Sequence, residues 1–200
     1  METTLEIRWF IEGIPSVKVQ NWFENKCRGK SLGRAEIRED CYFCGDRESL
    51  KQFITIPPTY SLQEINLKLR EGNLELKLRQ QQLETEKFGN WQGKIEQWSK
   101  LSKPELEQLL IAPPVKKDWI QVIKERKQKI QHNVKSELTR LSIDRNSWYS
   151  IAFEMPQDNS DEQLPHFKQI VNDCALSAFK TLQLFPQNSY SYSQWIEKLS

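Results

Sequence analysis

The chain has 200 residues, 38% of them hydrophobic and 28% charged, with seven tryptophans and nine phenylalanines. That supply of bulky apolar material is enough for a globular core and excludes a disordered chain. The formal charge of +2 excludes nucleic-acid binding driven by bulk electrostatics, so a basic site has to come from local clustering.

The opening "METTLEIRWF" carries an acid early and has no apolar h-region. It is not read as a secretory signal, and the cytoplasm is the expected compartment. No run of about 18 apolar residues predicts a membrane span. Thr4 to Glu12 alternates as a strand, with Leu5, Ile7, Trp9 and Ile11 on one face and Thr4, Glu6, Arg8 and Phe10 on the other. "EGIPS" breaks it. "SVKVQNWFENKC" then predicts a short amphipathic helix with Ser16 as N-cap, and "GKSLG" a loop.

A second strand is expected from Arg34 to Cys44, with Glu36, Arg38, Asp40 and Tyr42 on one face. A third is expected over Leu50 to Ile56, followed by "IPPTYS" as a turn or bulged edge. Gln63–Arg70 and Leu74–Gln80 alternate strongly and are joined by "EGN", a tight hairpin with Gly72 or Asn73 at positive φ. Residues 81–92 are polar and ambiguous. "QGKIEQWSK" reads as another strand, with Lys94, Glu96 and Trp98 on one face.

"SKPELEQLL" has the full signature of a helix start: Ser102 as N-cap, Pro104 near the first turn and Glu105 in the capping-box position. "APPV" stops it. Trp119 to Arg126 alternates again, with Ile120, Val122, Lys124 and Arg126 on one face. A turn at His132-Asn133 leads into "VKSELTRLSID", and Ser147–Met155 pairs back across "DRN". "PQDNSDEQLP" is a polar linker. Phe167 to Leu184 has helical spacing, with an apolar stripe fit for a barrel cover or a dimer face. Ser193–Leu199 is a last short helix.

Cys41 and Cys44 form a CxxC. On a strand, a three-residue offset sends the two side chains to opposite faces, so reduced thiols are expected rather than a zinc or redox pair. No phosphate-binding glycine loop occurs.

The most informative stretch is "NLKLREGNLELKLRQ". Its leucines alternate with Lys68, Arg70, Glu75, Lys77 and Arg79, and Lys124 and Arg126 repeat the pattern on another strand. Four cations against one carboxylate exceed what cross-strand pairing needs, which favours a polyanion over a merely solvated face.

In order along the chain, "TLEIRWF", "EDCYF", "LKLREGNLELKLR", "VIKERK" and "SYSQWIEKL" resemble the signature stretches of the CYTH domain, or triphosphate tunnel metalloenzyme fold. The resemblance spans nearly the whole chain. It implies one α+β domain over residues 1–200, an antiparallel barrel of about eight strands with flanking helices. It also implies a basic tunnel that binds a triphosphate or similar phosphorylated small molecule. Arg8, Lys68, Arg70, Lys77, Arg79, Lys124 and Arg126 would hold the phosphates. Glu6, Glu75 and Glu154 would hold Mg²⁺ or Mn²⁺ if the protein hydrolyses its ligand, with Glu137 and Glu96 as further carboxylates.

The sequence departs from the family where the metal sits. Thr4 stands at the first glutamate of ExExK and Arg8 at its lysine. Ala152 and Pro156 flank Glu154, where the family has a final ExE. Two functions therefore stand side by side. One is a metal-dependent triphosphatase. The other is a non-catalytic ligand- or protein-binding module that has lost the metal. An enzyme acting on RNA ends would need a wider basic surface, so nucleic acid is not an expected partner. A homodimer is compatible with the apolar stripe.

Overall fold

The structure is a computed structural model and describes residues 2–112, 118–157 and 162–199. It contains nine strands: β1 Glu2–Glu12, β2 Lys30–Ser31, β3 Glu36–Phe43, β4 Ile65–Arg70, β5 Asn73–Phe88, β6 Trp91–Lys100, β7 Trp119–Gln131, β8 Val134–Ile143 and β9 Asn146–Pro156. Five α-helices accompany them: α1 Val17–Asn25, α2 Arg47–Lys51, α3 Lys103–Leu109, α4 Gln163–Ser177 and α5 Tyr192–Glu197. The strands run in the order β7-β3-β4-β5-β6-β1-β9-β8, and β8 pairs back onto β7. Eight antiparallel strands thus close a barrel, and the two-residue β2 adds to the free length of β7. Closure leaves no long sheet edge. This is the α+β barrel expected from the sequence.

Alternation decides what each face meets. Leu5, Ile7 and Trp9 of β1 point outward into the largest apolar cluster, with Trp22 and Phe23 of α1 and Phe167, Ile170 and Val171 of α4. The stripe of α4 is therefore a barrel cover. A second cluster packs Leu67, Leu76 and Leu78 of β4 and β5 against Leu50 of α2 and Leu106 of α3. The third differs. Phe10, Tyr42 and Val122 lie on the inward faces of β1, β3 and β7, and they meet Tyr192, Trp195 and Ile196 of α5. Phe10 stacks on Trp195 at 4.5 Å between centroids, and Tyr42 stacks on Tyr192 at 4.8 Å. These rings fill the lumen at the α5 end.

Several local signals act as the sequence suggests. Ser16 accepts from the Val19 amide at the start of α1. Ser102 and Glu105 complete a capping box before α3. The β4–β5 hairpin turns through Glu71 and Gly72, both at positive φ, so Gly72 rather than Asn73 takes that role. His132 and Asn133 do the same between β7 and β8.

Four expectations change. Residues 50–56 form no strand. Asp46 caps α2 by accepting from the Ser49 amide, and Leu50, Phe53 and Ile54 follow at helical spacing into the second cluster. Of the ambiguous 81–92 stretch, the part up to Phe88 is the far half of β5, which runs on through register shifts, and β6 begins at Trp91. The long C-terminal helix starts earlier and ends at Ser177. In "GKSLG", Lys30 and Ser31 pair with β7. Residues 113–115 of "APPV" and 158–161 of the polar linker lie outside the described residues.

The four cysteines are free. Cys41 lies within β3 and Cys44 just beyond it. The buried pair Cys27 and Cys174 brings two Sγ atoms to 3.3 Å between the end of α1 and α4, a proximity that sequence separation hides. No helix among the described residues is long and apolar enough to cross a membrane.

One contact tests the outer packing. The Trp9 indole donates to the Gln92 carbonyl at 2.6 Å, and its ring lies so close to Gly93 that a Cβ there would sit 2.5 Å from it. The indole is itself fully buried and has nowhere to move. Gly93→Ala should therefore cost about 1–3 kcal/mol as overpacking, read by urea unfolding. An unchanged midpoint would show that the Trp9 layer gives way freely.

Candidate anion-binding site in the barrel lumen

The inward faces of the strands surround a cavity of about 320 Å³. Among the described residues, nine cationic and five acidic side chains line it, and Asp40, buried beneath Arg70 and Lys124, is a sixth carboxylate, which leaves an excess of three cations. Arg8 of β1, Lys68 and Arg70 of β4, Lys77 of β5, and Lys124 and Arg126 of β7 all lie there. So do Glu6, Glu75 and Glu154. Arg79 is the exception. It lies away from the cavity, paired with Glu96 at 2.8 Å and approached by Glu64 at 3.5 Å. The structure adds Arg38, Lys100 and Lys135 to the lining. Arg38 could have been read from its place on the same face as Asp40 and Tyr42. Lys100 and Lys135 sit at a strand end and just past a turn, where alternation alone gives little signal.

The base of the site is Asp40, which is fully buried. Arg70 Nε donates to it at 2.9 Å, and Lys124 Nζ lies 3.0 Å away. Burial works to raise the Asp40 pKa, but Lys124 and Arg70 overcome it and hold the carboxyl well below the usual range. Asp40 therefore stays ionised and fixes the cations around it.

Those cations are crowded. Burial, followed by repulsion from Lys124 and Arg70, pulls Lys68 down to about 7. Burial likewise brings Lys124 down to about 7, against the pull of Asp40. Lys124 also lies 3.7 Å from the Tyr192 ring centroid, a favourable cation–π contact. Arg8 donates to Glu137 at 2.9 Å and to Ser150 at 3.0 Å, with its guanidinium carbon 4.7 Å from the same ring.

The carboxylates are committed. Glu75 lies 3.1 Å from Lys68, 3.3 Å from Arg70 and 3.2 Å from Lys100. Despite burial, these hold it at about 2. Glu137 takes Arg8 and Arg126 and is likewise held at about 2 against burial. Glu6 accepts from Lys77 at 2.5 Å and from Thr4 at 2.7 Å. Glu154 faces Glu6 directly across β1 and β9. Burial and then the Glu6 charge push its pKa up, while burial on Glu6 is outweighed by Lys77.

This donor set does not fit a divalent cation. Mg²⁺ and Mn²⁺ need several free hard oxygens at one point. Among the described residues no group of three His, Cys, Asp or Glu side chains converges on such a point. Glu6 has Glu154 opposite it on β9 and Glu96 opposite it on β6, but Lys77 already engages Glu6 and Arg79 engages Glu96. What the arrangement can do is bind an anion. An incoming polyanion would find ammonium and guanidinium donors within an enclosed, partly desolvated space.

No family model and no curated protein matches the chain. Several solved structures do. A Pyrococcus horikoshii OT3 protein is similar at 11% identity and TM-score 0.46, over 98% of this chain and 99% of its own. A conserved hypothetical protein of Pyrococcus furiosus is similar at 9% identity and TM-score 0.42, over 96% and 98%. The Pct1 RNA triphosphatase of S. pombe is similar at 9% identity and TM-score 0.43, over 88% and 83%. At such identities no residue role carries over from these proteins.

Proposed function

We propose that the lumen binds a triphosphate or another polyphosphorylated small molecule without needing a metal. The observation that carries this is the excess of cations over carboxylates inside a closed barrel. In water such an excess would be trivial. In an enclosed space a cation costs desolvation energy even beside a carboxylate, and Lys68 and Lys124, each close to one, are depressed by that burial first. A polyanion removes it. The site residues proposed for phosphate are Arg8, Lys68, Arg70, Lys77, Lys124 and Arg126, with Arg38, Lys100 and Lys135 beside them. Arg79 is left out because it lies away from the cavity.

Each carboxylate has a part in this reading. Asp40 anchors Arg70 and Lys124 from beneath. Glu75 and Glu137 hold paired cations at fixed spacing. Lys77, bridged to Glu6 and close to Glu154, supplies a fixed positive charge where the resemblance would place a metal. Metal-dependent hydrolysis is the competing reading and would require Lys77 to leave Glu6.

Inorganic triphosphate should raise the melting temperature in EDTA, and Mg²⁺ should add nothing. Phosphate release that appears only with Mg²⁺ or Mn²⁺ would overturn this reading in favour of the hydrolase. Arg70→Met removes a charge-assisted donor, so triphosphate affinity should fall about tenfold or more, read by calorimetric titration. An unchanged affinity would place the ligand elsewhere.

Affinity should also depend on pH. Lys68 and Lys124 are brought down to about 7, and only the protonated forms attract phosphate. Between pH 7 and 8.5 a triphosphate can only lose protons and gain negative charge, so a weakening belongs to the lysines: binding should weaken severalfold and take up protons. Lys68→Met should flatten that slope. A slope that is flat in the parent protein would show that the lysines stay charged throughout.

A further inference from the structure

Next to the lumen lies a second concavity, of about 1050 Å³. Its chemistry is the reverse of the first. Leu69, Leu74, Leu101, Leu106, Leu110 and Ile111 form its walls. Glu2, Glu75 and Lys100 line both spaces, so the groove is continuous with the mouth of the lumen. The Lys100–Glu75 ion pair, at 3.2 Å, forms the lip between them.

The groove is built rather than incidental. The Thr55 amide donates to the Leu109 carbonyl at 2.8 Å, and the Ile111 amide donates to the Phe53 carbonyl at 2.8 Å. These bonds hold the 109–111 wall open beside α3. As a result Leu110 stays 38% exposed and Ile111 62% exposed.

Building on the phosphate reading above, we infer that the ligand is an amphiphile. Its phosphorylated head lies in the lumen, and an aliphatic chain of the alkyl or isoprenoid kind lies in the groove. Two observations favour a chain over a nucleoside. Among the described lining residues of the groove there is no Phe, Tyr, Trp or His to stack on a base, although stacking is how proteins commonly grip one. Inside an exposed polar rim that includes Lys103 and Glu107, the walls are branched aliphatic side chains, which reward buried methylenes. The cation excess just inside the lip supplies the complementary charge for the head.

Calorimetric titration of the full chain with n-dodecyl diphosphate, below its micelle-forming concentration, tests this against inorganic diphosphate and ADP. Dodecyl diphosphate should bind at least about tenfold tighter than inorganic diphosphate, because several methylenes leave water. Ile111→Asp should remove that gain and leave inorganic diphosphate unchanged. Leu110→Ser is a milder second variant if the first folds poorly. Arg70→Met should weaken both diphosphates in proportion.

Equal affinity for the dodecyl and inorganic compounds would overturn the amphiphile while leaving the lumen reading intact. So would a gain for ADP alone. A dodecyl affinity untouched by Arg70→Met would overturn it too, since the head would then lie outside the lumen. A dimer dissociated by Ile111→Asp, with no dodecyl gain, would make the groove an interface between copies and overturn it. No binding of any of the three compounds would overturn the amphiphile, and silence of inorganic triphosphate as well would overturn the lumen reading.

Discussion

Everything else in this molecule follows from charge enclosed in a barrel. The inward faces of eight strands carry more cations than carboxylates, so the lumen cannot serve as the hydrophobic core. Apolar side chains alternate to the outside instead, where they need cover. The α1–α4 layer covers one flank of the barrel and the α2–α3 layer another. At the α5 end the lumen becomes apolar, where Phe10 and Tyr42 meet the C-terminal helix. The helices are therefore a consequence of the polar lumen. A barrel of this size with an apolar interior could fill itself with side chains.

The same constraint sets the chemistry. Buried like charges repel, and the lumen manages this by interleaving: Asp40 beneath Arg70 and Lys124, Glu75 among Lys68, Arg70 and Lys100, and Glu137 between Arg8 and Arg126. A carboxylate engaged by two or three cations makes a poor metal ligand but a good spacer. The Lys77–Glu6 contact goes further, since an ammonium sits where a divalent ion would have to coordinate. The proposed binding of a polyanion without metal rests on this arrangement. The aliphatic groove at the lip extends it to the part of the ligand that carries no charge.

Much of this was legible in the sequence, for one physical reason: strand alternation is local. Thr4, Glu6, Arg8 and Phe10 share a face because the period is two, and the same rule aligns Lys68 with Arg70 and Lys124 with Arg126. Capping was legible too, as Ser16 and Ser102 show. The failures were non-local or ambiguous. Leu50 to Ile56 is short and apolar enough to be a strand or a helix; the Asp46 cap starts α2, which ends at Lys51, and Phe53 and Ile54 then pack with Phe43 and Trp119. Arg79 has the right parity and stays in register opposite Trp98, but its guanidinium turns to Glu96 and Glu64 and does not line the cavity. The proximity of Cys27 to Cys174 and the engagement of each glutamate by its cations depend on the closure of the barrel. No spacing rule reports that closure.

The most direct test of the central claim is a crystal structure grown with inorganic triphosphate in EDTA. The account predicts phosphate density inside the barrel, within hydrogen-bond distance of Lys68, Arg70 and Arg126, with Lys77 still on Glu6. Triphosphate on the outer surface, or an empty lumen with its ion pairs unchanged at saturating triphosphate, would contradict it.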